Sequence, residues 1–217
     1  MFPQAVPEPV RLLLPVVGPP ASQAGFYLAG GTAAALQLGH RESVDLDFFS
    51  PHAFDPERWQ GQLARLGNMQ VLDTAPGTLH VLLNQVRLSF FHYDYPLIAP
   101  TVDYQGLTLA SLHDISLMKI ASISHRGARK DFVDLYVIST RVWPLAQALD
   151  SLPRKFTGRY SLAHLLRSLQ YFEDAEREPM PRLIDPSITW PKIKSYFQDQ
   201  VRLYVRNLRS QTEWLDR

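Results

Sequence analysis

The sequence predicts an α+β fold, with a mixed β-sheet core flanked by helices and then a helical C-terminal part. Three observations point there. Residues 26–49 read as strand, helix, strand. Three short alternating runs follow between residues 69 and 93, separated by turn residues. From Trp143 onward only helical patterns appear. The chain has 217 residues, 46% of them apolar, enough for a real core and against wholesale disorder. The expected organisation is a core over residues 1–140 and a helical region over 141–217.

The proline-rich segment 1–24 has few periodic signals, and Arg11 to Val17 reads as a short strand or a helix start. Phe26 to Ala29 reads as a buried strand that Gly30-Gly31 breaks. Thr32 is then a candidate N-cap for a helix to Leu38, with Gly39 as its stop. Val44 to Phe49 alternates as a strand. Asp55-Pro56 supplies an N-cap and a proline at the first helical position. Met69–Asp73, Leu79–Leu83 and Val86–Tyr93 form a meander, with turns at Gly77 and at Asn84-Gln85. Ser111 to Asp114 is a capping-box pattern opening a helix to Arg126, and a second helix spans Lys130 to Arg141. Helices are expected over 143–151, 161–177 and 190–208, with a proline-rich linker from Glu178 to Pro186. The aromatic residues of these helices, Tyr160, Tyr171, Phe172, Tyr196, Phe197 and Tyr204, read as core.

With 22 basic and 21 acidic residues the formal charge is +1, which neither requires nor excludes nucleic-acid binding. The absence of cysteine excludes disulfides and cysteine-ligated zinc, and fits a reducing cytosol. Met1 to Pro9 has no basic stretch followed by an apolar one, and no apolar run approaches the ~20 residues that span a bilayer. A cytoplasmic protein with no membrane partner is the expectation.

Asp45 and Asp47 carry the strongest chemical signal. On a strand, period two places both carboxylates on one face, with Val44, Leu46 and Phe48 turned to the core. Two carboxylates so close repel unless a cation lies between them, and an all-oxygen set suits magnesium. An isolated pair of this kind reads as a solvated sheet face. The preceding Gly30-Gly31-Thr32 turn shifts that weighting, because glycines admit close backbone approach and a helix N-terminus offers free N–H groups to phosphate. The seven histidines show no metal-ligand spacing. Arg202, Arg206 and Arg209 form a basic stripe that reads as a solvated face or a grip on RNA phosphates.

The stretch AGGTAAALQLGHRESVDLDFF, Ala29 to Phe49, resembles the nucleotidyltransferase superfamily signature of a glycine turn, a helix and an acidic strand. More narrowly it resembles the AbiEii/AbiGii toxin-type nucleotidyltransferases, with His40, Arg41, Ser43, Asp45 and Asp47 at the matching positions. A second block, Asp114 to Ile138, is similar to the same family at Lys119, Arg126, Gly127, Lys130, Asp131, Asp134 and Leu135. The resemblance covers about residues 25–140. It implies a nucleotidyltransferase core that moves NMP from an NTP to an acceptor hydroxyl, with RNA, and the 3′ end of tRNA in particular, as acceptor. It also implies a toxin of a toxin–antitoxin or phage-defence system, with a cognate antitoxin as partner. Asp45 and Asp47 would hold Mg2+ or Mn2+, and Lys119 and Asp134 would join them as catalytic residues. Gly30, Gly31, Thr32, Arg41, Ser43, Arg126, Lys130 and Asp131 would bind the nucleotide.

Read from the residues alone, Lys119 is a snorkelling lysine or a phosphate neutraliser, and a regular helix puts it on one stripe with Arg126. Asp131 reads as a partner of Lys130 or Arg129, and Asp134, in an apolar surround, as a partnered group that orients Lys119 or meets nucleotide. Arg41 reads as a phosphate contact or a partner of Glu42. One departure from the superfamily stands out. Ser89 occupies the strand position where many members carry a third carboxylate, with Asp94 and Asp103 nearby in sequence. That departure supports a second reading: a catalytically degenerate fold that binds nucleotide or RNA, or serves as an interaction module.

Overall fold

The computed structural model describes residues 1–158 and 160–215, with side chains through Ser210. The chain divides into two compact units, Met1–Ile115 and Ser116–Arg217. This packing divide falls earlier than the partition at 140/141 expected from sequence.

The first unit is built on a seven-stranded mixed sheet. Its strands are β1 (Tyr27–Leu28), β2 (Leu46–Ser50), β3 (Met69–Ala75), β4 (Thr78–Leu83), β5 (Val86–His92), β6 (Val102–Tyr104) and β7 (Leu107–Leu109). Their order is β3-β4-β5-β2-β1-β7-β6. β2 runs parallel to β5 and antiparallel to β1, so the acidic strand lies inside the sheet with neighbours on both sides. The β3–β4–β5 meander matches its sequence pattern. Asn84 and Gln85 take φ of 48° and 66° in the two-residue turn, the left-handed pair such hairpins demand. The β6–β7 hairpin has no counterpart in the sequence reading. Its strands are three residues long, too short for alternation to register, and only Gln105-Gly106 marks the turn.

One sheet face carries the core: Leu46, Phe48, Leu79, Val81, Leu83, Leu88 and Phe90 are buried. Phe48 stacks on Phe90 with centroids 4.9 Å apart, and Phe26 and Trp59 close over Phe90 edge-on. Trp59 belongs to α3 (Pro56–Leu63), whose Asp55 N-cap accepts from the Glu57 amide at 3.0 Å. The proline-rich start is α1 (Glu8–Gln23), a full helix despite Pro15, Pro19 and Pro20 inside it. Each internal proline removes a backbone donor. A buried stripe of Val10, Leu13, Leu14, Val17 and Ala21 offsets that loss. Gly18 completes the fit: a Cβ there would meet Leu107 Cβ of β7 at 2.9 Å. α2 (Gly30–Leu38) ends at Gly39, which takes φ of 65°, as expected.

α4 (Leu112–Arg126) opens with the expected capping box. The Ser111 hydroxyl accepts from the Asp114 amide at 3.0 Å and donates to its carboxylate at 2.9 Å. Asp114, fully buried, also accepts from the amides of Ile98 and Ala99 and so fixes the loop before β6. The Tyr27 and Tyr93 phenols are pushed above the ordinary tyrosine range, first by burial and further by neighbouring negative charge that includes this carboxylate.

The second unit is helical: the rest of α4, then α5 (Arg129–Arg141), α6 (Leu145–Phe156), α7 (Leu162–Ser168), α8 (Glu173–Arg177) and α9 (Trp190–Leu215). The single helix expected over 161–177 is two, broken at residues 169–172, where Phe172 packs on Phe132 at 5.3 Å. Phe172, Phe197 and Tyr204 are core, as expected. Tyr171 is not: it is 47% exposed, because the break turns it outward. Among the described residues no helix is long and apolar enough to cross a membrane.

Candidate active site

Asp47 lies in β2 and Asp45 one residue ahead of it. Leu46 and Phe48 are fully buried, whereas Asp45, Asp47 and Phe49 are half-buried on the alternate positions. Asp47 thus alternates with the buried Leu46 and Phe48, and Asp45 immediately precedes the strand. Val44, expected in the core, is exposed, because regular alternation begins only at Leu46.

The glycine turn packs directly against these acids. The Ala29 amide donates to the Asp47 carbonyl at 3.0 Å. Gly30 takes φ of 64°, and a Cβ on it would lie 3.1 Å from Asp47 Oδ2. A Cβ on Gly31 would lie 2.3 Å from Arg41 Nη2 and 3.1 Å from Ser43 Oγ. These approaches explain both glycines: one needs the left-handed backbone, and the other yields its side-chain space to a guanidinium.

Thr32 is not the N-cap that its position suggested. α2 starts two residues earlier, with Ala29 as its cap, so Thr32 sits in the first turn. Its side chain is buried, 2.8 Å from Ser43 Oγ, and donates to the Asp45 carbonyl. The start of α2 and the acid strand are thereby tied at Asp45. Arg41 is buried at 4% exposure and donates to the Glu42 carbonyl at 2.8 Å.

The third-carboxylate position is settled by register. Asp47 pairs with Ser89 of β5, and Ser89 with His80 of β4. Ser89 is buried, with its hydroxyl 3.0 Å from His80 Nδ1. Asp94 is exposed beyond β5, and Asp103 is exposed on β6, three strands from β2. Among the described residues no third acid or histidine joins Asp45 and Asp47 in a cluster that could hold a metal ion. The sequence reading missed His80, although counting back from the Asn84-Gln85 turn pairs it with Ser89.

A second cluster lies in the helical unit. Lys119 Nζ is 2.7 Å from Asp131 Oδ1 and 2.6 Å from Asp134 Oδ2. Arg126 donates through Nε and Nη2 to Asp131 Oδ2, both at 2.8 Å. Asp131 and Asp134 are fully buried. Sequence reading paired Asp131 with Arg129 or Lys130. Instead Arg129 lies over Trp190 at 4.9 Å and donates to the Ala175 carbonyl, and Lys130 is exposed. Burial by itself would raise the Asp131 carboxyl, but Lys119 and Arg126 outweigh it and hold the group below the usual carboxylate range. Two cations and two anions balance, the condition for keeping carboxylates ionised without water.

A model of one protein family, described as nucleotidyl transferase AbiEii toxin of a type IV toxin–antitoxin system, matches residues 17–208. The chain belongs to the AbiEii nucleotidyltransferase toxin family. A relative, an uncharacterised protein of Aquifex aeolicus strain VF5, is 36% identical over 187 residues, covering 84% of this chain and 89% of that one. Two solved structures share the fold. JHP933 from Helicobacter pylori is 15% identical with a TM-score of 0.54, covering 95% of this chain and 94% of that one. MenT4, a nucleotidyltransferase toxin from Mycobacterium tuberculosis H37Rv, is 16% identical with a TM-score of 0.55, covering 91% and 84%. The AbiEii assignment makes the chain a nucleotidyltransferase.

The fit around Gly31 yields a direct expectation. Gly31→Ala drives a methyl into the buried Arg41 guanidinium, which must shift to admit it. A loss of about 1–3 kcal/mol is expected from overpacking, together with weaker nucleotide binding. Thermal unfolding and nucleotide titration check both; an unchanged melting temperature would mean that Arg41 is free to move.

Proposed function

We propose that this AbiEii-family chain transfers a nucleoside monophosphate from an NTP to a hydroxyl of RNA, at the 3′ end of tRNA, as the toxin of a toxin–antitoxin pair held in check by a cognate antitoxin. The observation that carries this reading is the contact between the glycine turn and the acid strand. Phosphates cradled at Gly30, Gly31 and Thr32 would lie against Asp45 and Asp47.

The residues fit a hard divalent cation. Asp45 and Asp47 offer oxygen donors two residues apart, and among the described residues no group of three or more acids, histidines or cysteines forms a closed cage. Magnesium and manganese suit such an open set, because substrate phosphates and water complete the shell. When bound, the ion would supply charge neutralisation at the α-phosphate and lower the acceptor hydroxyl's proton affinity. The chain itself positions. The first amides of α2 face the phosphates, Thr32 fixes the Asp45 backbone, and Arg41 holds Gly31 in place. Lys119 meets a phosphate only by yielding a carboxylate, so in this reading it and Asp134 chiefly order Asp131 and, through it, Arg126. Arg126 and exposed Lys130 are then the cations of the helical unit left to meet RNA phosphate.

The second reading, a degenerate binding module, has one observation in its favour: Ser89 where an acid would complete the set. The test is transfer of label from each α-labelled NTP to total tRNA with magnesium, comparing wild type with Asp45→Ala and Asp47→Ala. Label that both substitutions abolish supports the transferase; nucleotide binding with no transfer to any RNA supports the module.

A further inference from the structure

A hollow of about 350 Å³ opens in the helical unit, between the end of α4, α7 and the segment leading into α8. Its wall includes His125, Arg126, His164, Arg167, Tyr171 and Asp174. Two arginines and two imidazoles thus face one carboxylate, and that carboxylate is already hydrogen-bonded to Arg177 at 3.3 Å. Arg126 is held on one edge by Asp131, yet 57% of its side chain remains exposed. It is therefore oriented without being consumed. Arg167 comes from α7, and the His164 ring, 3.3 Å from the Ser124 carbonyl, ties α7 to α4. Tyr171 stands at the rim, 47% exposed, with its hydroxyl donating to Glu173 at 3.1 Å and its ring open.

We propose that this hollow binds the backbone of a single-stranded RNA segment, with phosphate oxygens on Arg126 and Arg167 and a base stacked on Tyr171. The inference rests on the RNA-acceptor reading above and names where that acceptor strand is gripped. Forked guanidinium donors match phosphate, and an exposed aromatic ring beside them suits an unstacked base better than an acidic peptide.

The test is equilibrium binding of a fluorescein-labelled single-stranded RNA of about 12 nucleotides over a salt series. Wild type is compared with Arg167→Gln, Tyr171→Leu and, as a control on an exposed arginine outside the hollow, Arg58→Gln. Both hollow substitutions lie at exposed positions, so the fold should survive, and circular dichroism checks that it does. Arg167→Gln should weaken binding and flatten the plot of log affinity against log salt by about 0.7, the loss of one phosphate contact. Tyr171→Leu should weaken binding by about tenfold with the slope unchanged. Wild-type affinity and slope in Arg167→Gln would overturn the proposal. So would complete displacement of the RNA by ATP that Arg167→Gln abolishes, since the hollow would then be a nucleotide site. RNA binding that follows this pattern with no nucleotidyl transfer by wild type would leave the hollow standing and remove the transferase reading. Transfer that proceeds at an unchanged RNA KM in Arg167→Gln would do the reverse.

Discussion

Asp47→Asn should lower nucleotidyl transfer by on the order of 1000-fold, while the protein unfolds within about 1 kcal/mol of wild type. The two halves of that expectation have different origins. Asp47 is half-buried on the face opposite the core, so its removal leaves Leu46, Phe48 and the β2–β5 ladder untouched. Its charge lies two residues from that of Asp45, so replacing it relieves repulsion in the unliganded protein. The cost therefore falls on catalysis, above the ~10–100-fold typical of residues that only support a metal ligand. A second measurement separates ligand loss from a general defect. Magnesium with NTP should raise the melting temperature of wild type by mass action and leave that of Asp47→Asn unmoved. Equal stabilisation of both proteins would count against Asp47 as the ion's ligand.

Lys119→Met is expected to act in the opposite way, through the fold. It removes the ammonium from between two fully buried carboxylates, and stranded buried charge costs about 3–5 kcal/mol. Adding Asp131→Asn and Asp134→Asn to Lys119→Met should restore much of that loss, because the charges then disappear together. The pH dependence follows from the lowered Asp131 carboxyl. A depressed carboxylate contributes stability above its unfolded value near 3.9 and loses it as pH falls through the folded value. Wild type should therefore weaken in acid. Without Lys119 the Asp131 carboxyl takes up its proton at higher pH, which relieves the stranded charge. The gap between variant and wild type should be widest at neutral pH and narrow toward pH ~4. Chemical unfolding across pH tests this; a gap independent of pH would show that packing, not charge, is what Lys119 supplies.

The parts of the molecule legible in the sequence are those fixed by neighbours along the chain. Asp55-Pro56, the Ser111–Asp114 box, the Asn84-Gln85 turn and the alternation around Asp47 each need only a few adjacent residues, and each appears in the structure. What escaped depends on distant partners. α1 keeps three internal prolines because its stripe is buried, which local propensity cannot register. Thr32 looked like a cap because its type suits one, but its hydroxyl is taken by Ser43 and Asp45 across the turn. Asp131 looked like a partner of its sequence neighbours until α4 placed Lys119 and Arg126 beside it. The Asp47–Ser89 register comes from a parallel pairing of strands far apart in sequence, which no local pattern encodes.

The interior place of β2 has a consequence for how the enzyme fails. Its backbone is laddered to β1 on one side and β5 on the other, so its amides cannot reach solvent by the fraying that opens sheet edges. Hydrogen exchange there should report opening of the first unit as a whole, not of a local flap. Catalytic competence and the unit's cooperative structure would then vanish in one transition on heating, with no inactive but still folded species preceding it.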